Sequence, residues 1–262
     1  MNVTDDRVYH LGLVRHDLEG ATIALLPGDP FRVPAITDVI TRVFGGTARE
    51  VAWHREFRTC VNVIGPAGIV VTSTGIGGPS ASIVLEELAM LGVTTFIRVG
   101  TSGAIQEFVK IGDVVITTGA LRLEGASTHY APREYPAVAH FDIVQALKRG
   151  AEEAQIPYHT GVTASSDTFY PGQERYESFT GYVPPQFRGA LKEWQHLHVL
   201  NCEMESSVVL TLTSAMGLRG GCVSGILCNR LAGETIDSHA LKTGERNAVT
   251  VAVAALKFLV GD

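Results

Sequence analysis

The sequence predicts an α/β protein: a single domain over residues 1–262, with a mixed, mostly parallel central sheet flanked by helices. Three observations predict it. Apolar, β-branched runs alternate with longer helical patterns, the rhythm of strands joined by crossover helices. Several runs are apolar throughout, as in strands covered on both faces. The chain is long enough to bury a large core without disulfides, and no repeat, low-complexity tract or Pro- or Ser-rich linker divides it.

In chain order, strands are expected at Ala21–Leu26, Gly68–Ser73, Thr94–Val99, Asp113–Thr118, Tyr158–Ser165 and Gly220–Leu227. Helices are expected at Pro34–Phe44, Pro79–Leu91, Phe141–Ala154, Glu203–Met216 and His239–Val260. Pro79 follows Gly78 and suits the first position of its helix, where its missing N–H costs nothing. Gly172–Trp194, rich in turn residues and aromatics, reads as an ordered excursion, with its tip Tyr182–Pro185 a candidate flap.

Composition excludes several classes. A net charge of −6 argues against a nucleic-acid polymer as partner, which would call for a basic stripe. Small anions remain possible, because a local arginine cluster overrides the global sign. Cys60, Cys202, Cys222 and Cys228 form no C-x-x-C pair and sit among apolar residues; they read as buried thiols in a reducing compartment. The first ten residues carry Asp5 and Asp6 and no apolar core of a signal peptide. No run approaches the roughly 18 apolar residues of a membrane span. The expectation is a soluble, cytoplasmic protein without a membrane partner.

In open α/β sheets ligands bind beyond the carboxyl ends of strands, so the segments there carry the chemistry. After the first strand, Gly28 permits close backbone approach and Arg32 falls at a helix start that already favours an anion. Taken alone, this segment reads better as a plain turn with a solvated arginine. After the second, Ser73–Ser80 is a Gly-rich strand-to-helix turn. It lacks the third glycine of a dinucleotide fingerprint and the Lys-Ser/Thr of a Walker loop, and suits tight packing as well as a ligand role. Arg98 lies inside an apolar strand, where a charge needs a counter-ion. With the hydroxyls of Thr101 and Ser102 beside it, it suits phosphate better than an internal salt bridge.

After the fifth strand, Phe169 and Tyr170 offer faces on which a base can stack, and Gln173 and Arg175 offer the donors and acceptor that match a pyrimidine edge. A surface loop with core aromatics has the same spacing. Glu203 and Glu205 head a helix, where acids are ordinarily capping charges; one could instead grip a ribose diol. Nine histidines occur without a metal-binding spacing, and there is no G-x-S-x-G elbow.

The ordered set GDPFR (28–32), HREF (54–57), STGIGGPS (73–80), RVGTSGAI (98–105), SSDTFYPGQERY (165–176) and CEMES (202–206) resembles the uridine phosphorylase family of the hexameric nucleoside phosphorylase superfamily. The likeness runs from Tyr9-His10-Leu11-Gly12-Leu13 to the last helix, and the SSDTFYPGQERY stretch is its most specific part. The resemblance implies phosphorolysis of uridine and 2′-deoxyuridine by inorganic phosphate, with no other cofactor. It implies a phosphate site of Gly28, Arg32, Arg98 and Thr101, completed by Arg55 from a neighbouring subunit. It implies ribose contacts from Met204 and Glu205, with His10 of the neighbour on the 5′-hydroxyl. Phe169, Gln173 and Arg175 would bind the base, with Arg230 acting through water; Arg98, Gln173, Arg175 and Glu205 would be catalytic. Glu56, Ile76 and Ser80 match positions that hold a monovalent cation, potassium, at a dimer interface, and the assembly implied is a homohexamer built as a trimer of dimers. The chain departs from the family pattern at the flap, Tyr182–Gln186, and at Leu231–Ser238; Gly45–Arg49 has no implied role.

Alternatives within the superfamily are a purine nucleoside phosphorylase or a nucleosidase. A purine leaving group wants an acid at N7, and the stretch after the sixth strand, Leu227-Cys228-Asn229-Arg230, has none. A nucleosidase uses water and needs no set of three arginines. From another class, a non-catalytic nucleoside-binding protein could use the same scaffold.

Overall fold

The structure is a computed structural model and describes residues 3–64, 67–231, 233–234 and 238–260. Its strands are β1 Ile23–Leu26, β2 Thr47–His54, β3 Phe57–Ile64, β4 Ala67–Thr72, β5 Thr95–Ala104, β6 Val114–Leu123, β7 Ala137–Val138, β8 Tyr158–Ser166, β9 Asn201–Glu203 and β10 Arg219–Asn229. Its helices are α1 Arg32–Phe44, α2 Gly78–Met90, α3 Phe141–Glu153, α4 Ala190–His196, α5 Ser206–Ala215 and α6 Ser238–Leu256. All ten strands belong to one sheet, in the order β10-β6-β8-β9-β5-β1-β4-β3-β2 with β7 on β6. Because β10 also pairs with β5, the sheet curls and closes on itself at one end, while β1, β4, β3 and β2 extend from it as an open wing.

The six strands expected from the sequence are all present. They pair with one another in parallel, except for β10 with β6. The remaining antiparallel pairings enter with β2, β3, β7 and β9. The hairpin β2–β3 shows why these were not expected: β2 has no apolar run and is mostly exposed along its length.

Two packed layers hold the sheet. On one side α1 buries Val33, Ile36, Thr37 and Ile40, a helical stripe, and α3 buries Ile143, Ala146, Leu147, Gly150 and Ala151. Together with α6 they form one core cluster around β1, β4 and β10. On the other side α5 is buried along Ser206–Thr213, as expected of a helix sandwiched between sheet and α2. Val8, Leu11 and Leu13 join that second cluster, so the segment ahead of β1 is docked.

Two expectations are corrected. The helix expected from Glu203 begins at Ser206, because Asn201–Glu203 pairs with β5 and β8 as β9. The third expected strand does not stop at Val99. Pairing with β10 carries β5 on to Ala104, so Thr101 and Ser102 lie within the strand rather than after it. The excursion at 172–194 is ordered, with 3-10 turns at Pro171–Gln173 and Pro185–Phe187. At its tip Val183 is buried and its carbonyl accepts from Arg188 Nε at 2.8 Å, while Tyr182 is exposed. No helix of the described residues is long and apolar enough to cross a membrane.

Candidate active site

One cleft of about 680 Å³ gathers residues from the ends of β1, β4, β8 and β9 and the middle of β5. Its first cluster is cationic. Arg98 rises from β5 and is 5% exposed. Its Nη2 donates to Glu205 Oε2 at 2.7 Å and its Nη1 to the Leu26 carbonyl at 3.2 Å, while Nε is buried with no partner among the described residues. The internal salt bridge and the anion-site reading are therefore compatible, since the ion pair uses one edge of the guanidinium. Among the described residues Arg32, at the start of α1, also has a buried Nε without a hydrogen-bond partner and a long contact, 3.8 Å, to Glu245. Burial, and then repulsion from Arg98, push its pKa below the ordinary arginine value. Burial also works against charge on Arg98, but Glu205 and Glu203 overcome it and raise its pKa. Two desolvated guanidiniums with free donors favour a bound anion, which would relieve their mutual repulsion. Gly28 faces this pair closely: a Cβ there would lie 3.4 Å from both Arg98 terminal nitrogens and 3.3 Å from the Gly75 carbonyl. Thr101 lines the same wall.

Two acids stand next to it. Glu205, at the N-cap of α5, accepts from Gly77 N–H at 2.6 Å as well as from Arg98. The Gly-rich turn thus fixes a carboxylate with its backbone, and Gly77 does so at φ +88. Glu203 accepts the N–H groups of Glu205 (2.8 Å) and Ser206 (2.9 Å), the orphan donors of the helix start. Its burial, reinforced by the nearby Glu205 charge, raises its pKa to about 7 despite Arg98. Glu203, Met204 and Glu205 all line the cleft; Glu203 spends its carboxylate on the N–H groups of the helix start, and Glu205 spends its own on Gly77 and Arg98.

The third cluster follows β8. Thr168 Oγ1 accepts Gly172 N–H at 2.9 Å, and Arg175 N–H returns to the Tyr170 carbonyl at 2.8 Å, so the segment folds into a compact turn. Gly172 is obligatory, because a Cβ there would overlap the Ser166 and Thr168 hydroxyls. The turn presents Gln173, 2% exposed, and Arg175 together. Arg175 Nη1 donates to Gln173 Oε1 and to the Phe169 carbonyl, both at 2.6 Å, and its guanidinium lies 3.7 Å above the Phe169 ring. The Arg175 bond to Gln173 Oε1 leaves the amide NH₂ of Gln173 as a donor. Cys202 and Cys228 complete the wall as thiols, with burial pushing Cys228 up to about 11.

The family model "Phosphorylase superfamily" matches residues 22–260. Uridine phosphorylase of Escherichia coli (strain K12) is 47% identical over 97% of this chain and 98% of that protein. The chain belongs to the phosphorylase superfamily. Uridine phosphorylase of Haemophilus influenzae is 49% identical over the same shares. Guanosine phosphorylase of Halorubrum lacusprofundi is 36% identical over 80% of each chain.

Of the residues that resemblance to this superfamily singled out, Gly28, Arg32, Glu56, Ile76, Ser80, Arg98, Thr101, Phe169, Gln173, Arg175, Met204 and Glu205 all line the one cleft. His10, Arg55 and Arg230 do not. His10 is tied to the chain's own α2, its Nδ1 at 2.7 Å from Glu87. Arg55 is exposed at the β2–β3 turn with φ 55. The two lie on one flank, since His54 Nδ1 reaches the His10 carbonyl at 2.8 Å. Arg230 sits behind the base cluster, with Nη1 3.6 Å from Cys202 Sγ.

Among the cleft residues that sequence reasoning gave no role, Glu234 is the one that meets the predicted base group. Glu234 pairs with Arg175 Nε at 2.6 Å and, by a short bond, with Arg230 Nε. The stretch Leu227–Arg230 has no acid, but four residues further on the chain returns one to the site. The nearest signal in the sequence was the break in the family pattern at Leu231–Ser238, which singles out no residue.

Proposed function

We propose that this chain cleaves uridine and 2′-deoxyuridine with inorganic phosphate, giving uracil and ribose or deoxyribose 1-phosphate in pyrimidine salvage. The observation that carries the proposal is the order of the clusters across neighbouring strands. The base group follows β8, the acids leave β9, Arg98 stands on β5 and Arg32 follows β1; β8, β9, β5 and β1 are adjacent in that order. Base, ribose and phosphate follow the same order in the reacting complex.

The chemistry uses what is there. Phosphorolysis breaks the C1′–N1 bond through an oxocarbenium-like transition state. Phosphate is already an anionic nucleophile, so the protein needs no nucleophilic side chain. Arg32, Arg98, Thr101 and the Gly28 backbone hold phosphate against C1′, which turns an encounter into an intramolecular step. Glu205 and Met204 hold the ribose. Electron density leaving on the base is met by Gln173 and Arg175, whose bonds strengthen as uracil becomes anionic. Phe169 packs on the ring.

The purine alternative is disfavoured by Glu234. Burial pushes its pKa up, but hydrogen bonds from Arg175 and Arg230 win and hold it below the ordinary carboxylate value. It therefore stays ionised and has no proton to give a purine N7. A nucleosidase would not need the two desolvated arginines.

Glu56, Ser80 and Ile76 form an oxygen-rich corner. Ser80 Oγ is 3.3 Å from Glu56 Oε1, and Ile76 is 76% exposed beside them. A carboxylate, a hydroxyl and a backbone carbonyl suit a hard monovalent cation such as potassium, which would tie two subunits together there. The flank around His10 and Arg55 also exposes Tyr9, Phe31 and Trp53, with Phe31 and Trp53 in edge contact at 5.8 Å. An apolar surface beside residues expected to reach a neighbour's site supports a dimer, and a hexamer of three dimers. The four buried, unpaired cysteines fit the cytoplasm.

The test is to mix protein and uridine with and without phosphate and follow loss of nucleoside absorbance. Phosphate-dependent loss supports the proposal, and equal rates without phosphate refute it.

A further inference from the structure

The charge arrangement at the base cluster is more specific than pyrimidine recognition requires. β10 ends at Asn229 and α6 begins at Ser238; between them Glu234 enters the cleft wall. One carboxylate oxygen takes Arg175 Nε and the other takes Arg230 Nε. The two guanidiniums are largely shielded, their side chains 10% and 3% exposed, against 31% for Glu234. Without the carboxylate, Arg175 in the cleft wall and Arg230 behind it would be two cations with no anion between them. A carboxylate is the planar partner that such a pair of forks selects.

Resting on the function proposed above, we propose that Glu234 is a positioning and specificity-determining residue of the base site. By bridging Arg175 and Arg230 it locks Arg175 in the orientation that works with Gln173. It also fills the slot that a carboxylated pyrimidine would otherwise take. The lock has a geometric basis. Arg175 has three tethers besides the Phe169 ring: the Gln173 amide and the Phe169 carbonyl both act on Nη1, and Glu234 alone acts on Nε. The Nη1 bonds hold one corner of the guanidinium over the Phe169 ring, and the anchor on Nε holds a second. Nη2 makes no hydrogen bond among the described residues, so the bridge leaves it as the donor for the base. The exclusion follows from charge. With Glu234 in place an incoming carboxylate meets a carboxylate; without it, the same ligand meets two desolvated guanidiniums.

The experiment compares wild type with Glu234→Ala and the near-isosteric Glu234→Gln. Uridine turnover is measured with and without added acetate, and uracil and 5-carboxyuracil binding by calorimetry. Both variants should lose about 10²-fold in kcat/KM, the scale of an ångström-sized misplacement at a reacting centre. Acetate should restore part of the loss in Glu234→Ala, where a slot has opened, and none in Glu234→Gln, where the amide fills it. 5-Carboxyuracil, whose carboxylate lies beside O4 on the edge that Arg175 reads, should bind Glu234→Ala at least tenfold more tightly than wild type, by roughly 1.4 kcal/mol or more. Wild-type kinetics in both variants overturn the proposal. So does a slow Glu234→Ala that acetate does not help and that binds 5-carboxyuracil no more tightly than wild type, because loss of packing alone gives that pattern. The binding arm needs no turnover. If wild type fails to consume uridine, the proposed function falls, while uracil binding still decides the role of Glu234: weaker in Glu234→Gln supports it, unchanged overturns it.

Discussion

Arg98 shows how one side chain holds a site together. Its ion pair with Glu205 at 2.7 Å keeps a buried guanidinium charged and aims the carboxylate, while its Nε remains for a ligand. In the proposed reaction Arg175 has the equivalent part at the base, and Arg175→Ala should lower uridine kcat by roughly 10²-fold or more, as for loss of one charge-stabilising donor; steady-state kinetics read this directly. Glu203 carries a pH signature. Its folded pKa of about 7 lies above the ordinary value of 4.5. The folded protein therefore binds this proton more tightly than the unfolded chain, and the stability linked to it is present below pH 4.5 and lost as pH rises through 7. Thermal melts should show wild type losing stability relative to Glu203→Gln between pH 5 and about pH 8; parallel curves would remove Glu203 from that role. At this scale the sequence was informative where residue type and neighbours coincide. Gln173 and Arg175 stand two apart in a specific stretch, and a charged Arg98 in an apolar strand demands a partner. Glu234 was not legible, because its partners lie 59 and 4 residues away, in a segment without a pattern.

Among the elements, the β2–β3 hairpin was the part the sequence hid. An exposed strand carries no apolar run to reveal it, and β9, three residues long, is too short to show a period. The two-sided strands β1, β5 and β10 were legible because burial on both faces leaves them continuously apolar. The hairpin matters to the site because its turn places Glu56 against the Gly-rich turn after β4. Gly75 has φ +66, and a Cβ there would lie 2.9 Å from both Glu56 Cγ and Ser80 Oγ. Gly75→Ala should therefore destabilise the fold by about 1–3 kcal/mol and weaken phosphate binding, since the Gly75 carbonyl also backs Gly28. Denaturant titration with a phosphate KM measurement checks this; unchanged stability would show that hairpin and turn are not packed as described.

For the whole molecule, the open question is assembly. His10 and Arg55 lie outside the cleft of their own chain, on a flank with exposed aromatic residues, as a site shared between subunits requires. Closed symmetry would repeat each shared contact at every equivalent site. Arg55→Ala and Arg98→Ala subunits should each be poor alone. Mixed into one oligomer, some sites regain both arginines and activity should partly return; mixed oligomers without recovered activity would place both residues in one chain's site. In the proposed reaction phosphate itself, held by Arg32 and Arg98, takes the place of the base on C1′. Phosphorus NMR of a reaction containing protein, uridine and phosphate tests it most directly. A new sugar-phosphate resonance should grow in step with released uracil as the inorganic phosphate signal falls; uracil released with the phosphate signal unchanged would contradict the account.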